Sequence, residues 1–148
     1  MYQHILVAVD DSDTSNRALD EAIRLAKDQR AVLRLVFVVD ETTIYSDAQI
    51  SDPGEIEREW IRIGNDILHK AENTARKEGV NAEIKLLETR NVGDRIANAI
   101  VAEAEAWPAD LMVAGTHGRS GLTHLLMGSV AEGLLRTTSV PILLIRGK

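Results

Sequence analysis

Apolar residues change their spacing at regular intervals along this chain, and the changes mark out its elements. Near-continuous runs of Val, Leu and Ile occur at His4 to Val9 ("HILVAV") and Ala31 to Val39 ("AVLRLVFVV"). Runs of this kind suit parallel strands that are covered on both faces. Three more strand candidates follow: "AEIKLLE" (Ala82 to Glu88), which partly alternates, "ADLMVAG" (Ala109 to Gly115) and "VPILLI" (Val140 to Ile145). Between the strands the period becomes helical. Ala18, Ala22, Leu25 and Ala26 fall on one face, as do Trp60, Ile63, Ile67 and Ala71, then Ile96, Ile100, Val101 and Ala104. A fourth helix, from about Val130, is expected to carry Val130, Leu134 and Leu135. The order is βαβ, a loop, then αβαβαβ. Strands alternating with helices require right-handed crossovers, and so predict an α/β fold: a doubly wound, five-stranded parallel sheet with helices on both faces. Glu41 to Gly54 is polar and aperiodic and ends in a Pro-Gly turn signal, so it is expected to form a mobile loop.

Composition narrows the function classes. The 148 residues suit one domain, 1–148. A charge of −6, from 17 basic and 23 acidic residues, gives no diffuse attraction to nucleic acid or anionic lipid, so neither is expected as a partner. No run approaches the roughly 18 apolar residues of a membrane span. The opening "MYQHILVAVDD" has neither a basic leader region nor a cleavage site, so the expected location is cytoplasmic. The chain has no cysteine, which excludes disulfides, thiol chemistry and cysteine-ligated metal.

In open α/β sheets, ligands bind beyond the carboxyl ends of the strands. The first strand ends in "VAVDDSDTS" without a glycine, so the G-x-G-x-x-G dinucleotide fingerprint is missing, and there is no G-x-x-x-x-G-K-[ST] loop. The end of the fourth strand differs. Gly115 closes it, Gly118 follows, and Gly128-Ser129 precedes the last helix. Glycines let a ligand approach the backbone, and a helix N-terminus favours an anion, so this segment can hold a phosphate chain, with one phosphate against the Gly128 N–H. It can equally be read as a strand end, two turns (Gly118, Gly121) and a helix capped by Ser129. Gly133, inside that helix, suits close helix–sheet packing. Asp10, Asp11 and Asp13 can cap and charge the first turn of a helix from about Thr14, or attract Mg²⁺ with the help of phosphates. His117 and His124 flank the glycine segment at a spacing that fits no zinc motif. His4 and His69 look incidental, and Trp60 and Trp107 read as core packing.

The spacing Gly115-x2-Gly118-x9-Gly128-Ser129 resembles the G-2x-G-9x-G-[ST] signature of the ATP-binding branch of the universal stress proteins. The resemblance extends through "ILVAVDDSDTSNRAL", "LVFVVD", "VGDRIANAI", "ADLMVAGTHGRSGL" and "GSVAEGLLRTTSVPILLIR". It implies a Rossmann-like fold of the adenine nucleotide alpha hydrolase type and a stress-response protein that binds ATP, with Mg²⁺ or Mn²⁺ held through the phosphates. By the same resemblance Asp10 lies against the adenosine, Ala8 lines the base pocket and Val38 packs on adenine. Ala114 and Gly115 stand beside the ribose, and Gly118, Arg119, Gly128, Ser129 and Val130 form the phosphate cradle. It also implies a homodimer through the last strand, Val140 to Ile145, where Pro141 already points to a sheet edge. The alternatives are a slow ATPase, for which no residue that positions water can be named, and a nucleotide-free adaptor.

Overall fold

The structure is a computed structural model that describes residues 1–40, 44, 52–89, 95–117 and 127–147. Strands β1 (His4–Ala8), β2 (Val32–Val39), β3 (Ala82–Glu88), β4 (Leu111–Gly115) and β5 (Ile142–Ile145) alternate with helices α1 (Asp13–Gln29), α2 (Pro53–Lys77), α3 (Ile96–Ala106) and α4 (Ser129–Thr137). The strands are all parallel and lie in the order β3-β2-β1-β4-β5. The α/β sheet and its helices thus follow the periodicity. Strand ends differ from the apolar runs by one or two residues, because Val9, Ala109 and Val140 are apolar but flank the ladders.

Side-chain alternation sorts the sheet into two apolar faces. Ile5, Leu33 and Leu111 lie side by side and pack under α1 and α2, against Ala18, Ala22, Leu68 and Ala71. Leu6 and Met112 point the other way, with Val36 and Ala114, and pack under α3 and α4 against Ala97, Ile100, Ala104 and Leu134. Helices therefore cover both faces. Leu135 is an exception to the sequence reading: it follows Leu134 by one position, about 100° around the helix, and is 46% exposed. Gly133 also differs, since an added Cβ there would stand 2.7 Å from the Ala97 Cβ. It lets α4 approach α3, not the sheet.

Helix starts explain two further differences. Ser12, not an aspartate, caps α1, its side chain accepting the Ser15 N–H at 3.2 Å. Asp13 supplies the first-turn negative charge. Asp11 takes φ 63°, a left-handed conformation that aspartate tolerates, and pairs with Lys70 of α2 at 3.2 Å. The Pro-Gly pair at the end of the predicted loop is the beginning of α2: Asp52 caps it and Pro53 takes the first turn, where its missing N–H costs nothing. Ile44 is 3% exposed. The rest of Glu41 to Ser51 lies outside the described residues.

Candidate functional site

The chain leaves β1 and β4, which are neighbours, toward opposite edges of the sheet: β1 leads to β2 and β4 to β5. Between their carboxyl ends is the switch point where open α/β sheets form a crevice. A cavity of about 390 Å³ lies there.

Its floor is the end of β1. Val9 continues past the strand with its N–H on the Val36 carbonyl at 2.9 Å. Asp10 then begins the turn into α1. Its backbone N–H donates to Ser15 Oγ at 3.0 Å, and its carboxylate accepts the Ser12 N–H at 2.9 Å. Ser15 is buried, so the turn is fixed from beneath and the Asp10 carboxylate is held at the cavity wall. On one side β2 contributes Val36 and Val38, and Asp40 follows the strand, while Ile96 and Ile100 of α3 supply an apolar flank.

On the other side β4 gives Ala114 and Gly115. Gly115 is required for close packing, since an added Cβ would stand 2.7 Å from Thr14 Cγ2 and 3.1 Å from the Thr14 carbonyl carbon. Thr116 ties this corner together: its N–H donates to the Ile145 carbonyl at 2.9 Å and its own carbonyl accepts the Gly128 N–H at 2.6 Å. That bond occupies the N–H expected to meet a phosphate. Gly128, at φ −75° and ψ 164°, is itself the N-cap of α4, so Ser129 is the first helical residue and does not cap. Among the described residues no side chain caps this helix. The N–H groups of its first turn, at Ser129, Val130 and Ala131, all cavity-lining residues, are the ones a helix leaves without intrahelical acceptors.

Ala8, Asp10, Val38, Ala114, Gly115, Gly128, Ser129 and Val130 are thus gathered around one cavity. Gly118 and Arg119 lie outside the described residues, as does His124. His117 also lines the cavity, its Nδ1 3.0 Å from Thr116 Oγ1. His4 instead meets the Trp107 ring edge-on, with centroids 5.0 Å apart. Sequence reasoning missed Asp40 and Trp60 as lining residues. Asp40 could have been found, because it stands at the carboxyl end of a strand run. Nothing in the spacing of Trp60 separates a pocket wall from core packing. The three aspartates do not converge: among the described residues no group of three His, Asp or Glu is placed to hold a metal.

Fold and cavity define an α/β protein with a ligand crevice whose one wall is acidic and whose other wall is a helix N-terminus. A model of the universal stress protein family matches residues 1–146, and the chain belongs to that family. It is 33% identical to the universal stress protein YxiE of Bacillus subtilis, over 99% of this chain and 100% of that one. Among solved structures it is similar to a universal stress protein in complex with cAMP (26% identity, 98% and 97% of the two chains, TM-score 0.69). It is also similar to the Archaeoglobus fulgidus universal stress protein in complex with dAMP (27% identity, 97% and 98%, TM-score 0.68). Among the described residues no helix is long and apolar enough to cross a membrane.

Proposed function

We infer that this protein is a cytoplasmic stress-response protein that binds ATP between β1 and β4 and signals through its nucleotide state as a homodimer, acting as a single domain over residues 1–148. One observation carries the reading: the cavity has opposite polarity at its two ends. At the α4 end, first-turn N–H groups that lack intrahelical acceptors and the helix dipole favour an anion. At the β1 end, the fixed Asp10 carboxylate repels phosphate and accepts hydrogen bonds from sugar hydroxyls. A nucleotide is anionic at one end and a hydroxyl donor in the middle, so it can lie in one direction only. The two nucleotide-bound relatives support adenine as the base, since cAMP and dAMP share it.

The phosphate chain then runs toward Gly128, Ser129 and Val130, with Gly118 and Arg119 completing the cradle, and the ribose rests by Ala114 and Gly115. Ala8 and Val38 face the nucleoside. Mg²⁺ or Mn²⁺ is held through the phosphates, which supply the negative oxygens such ions require. The experiment is calorimetric titration with ATP and Mg²⁺, NAD and FMN, together with mass spectrometry of whatever the heat-denatured protein releases. ATP is expected to bind most tightly and an adenine nucleotide to be released. Tighter binding of NAD or FMN would overturn the assignment.

A further inference from the structure

Trp60 was legible only as a core residue, yet it reaches the cavity. It lies on α2, four residues before Gly64, and so on the same face of the helix. At Gly64 the helix presses on the sheet: an added Cβ would stand 2.6 Å from Phe37 Cδ1 and 2.7 Å from Leu86 Cδ1. Because β2 and β3 are parallel, α2 runs back between them, with its N-terminus at the carboxyl edge of the sheet. Trp60 therefore sits about 6 Å closer to that edge than the Gly64 contact does. There it lines the cavity that Val38 and Asp40, at the end of β2, and Ile96 and Ile100 of α3 also line.

The order of groups across the sheet fixes what arrives at this wall. With phosphates at α4 beside β4 and the sugar at Asp10 on β1, the remaining part of an extended nucleotide lies over the end of β2. That part is the base. We propose that Trp60 is the aromatic wall against which the base lies, and that it makes the crevice select purine over pyrimidine nucleotides. This rests on the nucleotide reading above and adds the residue that discriminates among bases. A bicyclic purine shares more area with an indole than a pyrimidine ring does, and aromatic stacking on a base is lost when the ring is removed.

The test is calorimetry of ATP, CTP and inorganic triphosphate on the wild-type protein, Trp60→Leu and Trp60→Phe. Loss of the stacked ring should weaken ATP roughly five- to a hundredfold in Trp60→Leu. CTP should lose less, inorganic triphosphate nothing, and Trp60→Phe should keep most of the ATP affinity. The chain has two tryptophans, so Trp107→Phe leaves Trp60 as the sole indole emitter in an otherwise intact site. Its emission should change with adenosine and with ATP, and not with inorganic triphosphate. Unchanged ATP affinity in Trp60→Leu, an equal loss of ATP and inorganic triphosphate, or emission insensitive to adenosine each overturns the assignment while leaving nucleotide binding in place. A wild-type protein that binds no nucleotide overturns both.

Discussion

Gly115 and Gly128 border the same corner of the crevice, and substitution separates what each does. At Gly115 a methyl group would stand 2.7 Å from Thr14 Cγ2 and 3.1 Å from backbone carbon. The backbone cannot rotate away as a side-chain tip can, so β4 and the start of α1 must part. Gly115→Ala is expected to destabilise the fold by about 1–3 kcal/mol, as overpacking generally does. At Gly128 the φ of −75° suits alanine, and the N–H is committed to the Thr116 carbonyl. Gly128→Ala should therefore cost only the weaker N-cap preference of alanine, under about 1 kcal/mol. Urea denaturation of the two variants checks this, and a Gly128→Ala variant less stable than Gly115→Ala would show that the strain had been assigned to the wrong glycine.

Helix α4 is where sequence and structure agree on the element and differ on its chemistry. The glycine signature pointed to this helix end, but the sequence could not reveal that Thr116 claims the Gly128 N–H, since that bond joins residues brought together only by the fold. In the proposed reading the phosphates therefore meet the N–H groups after the cap. The backbone of Gly128 is already in the extended region that a following proline imposes, and proline is tolerated at a first helical position. Ser129→Pro should leave α4 intact while removing one N–H and the hydroxyl, whereas Ser129→Ala removes the hydroxyl alone. One charge-assisted hydrogen bond is worth roughly 1.5–3 kcal/mol, so ATP should bind Ser129→Pro about tenfold more weakly or worse, with adenosine unchanged. Equal affinity of both variants for ATP would place the phosphates elsewhere. The strands, by contrast, were readable almost to the residue, because apolar runs record burial on both faces. Pro53-Gly54 misled for a physical reason: proline serves a turn and a first helical turn equally well, and Asp52 decides between them by capping. Trp60 was hidden because an indole on the apolar face of a helix looks alike whether it ends over a strand or over a cavity.

Across the whole molecule the two sheet edges are treated differently. β3 bears charge at its edge, with Glu83 and Lys85 alternating with apolar positions, and Arg34 of β2 reaches across to Glu83 at 2.7 Å. Charges of this kind deter another strand from pairing. The β5 edge reads Ile142-Leu143-Leu144-Ile145 with no charge, and Pro141 ends just before the strand begins. Leu143 is 36% exposed, and the exposed Leu135 of α4 stands in the helix that leads to this strand. Among the described residues no strand pairs with the outer side of this uncharged apolar edge, so we expect β5 to pair with β5 of a second copy about a two-fold axis, which satisfies both edges by one self-complementary contact. Leu143→Lys places a charge beside its own symmetry mate as well as on the apolar strip. Light scattering at tens of micromolar, roughly where a standard interface is populated, should report a dimer for the wild-type protein and a monomer for Leu143→Lys. Lys85→Leu, at the opposite edge, should leave the wild-type dimer through β5 intact. A monomeric wild-type protein, or a Leu143→Lys variant that remains dimeric, would remove β5 as the contact.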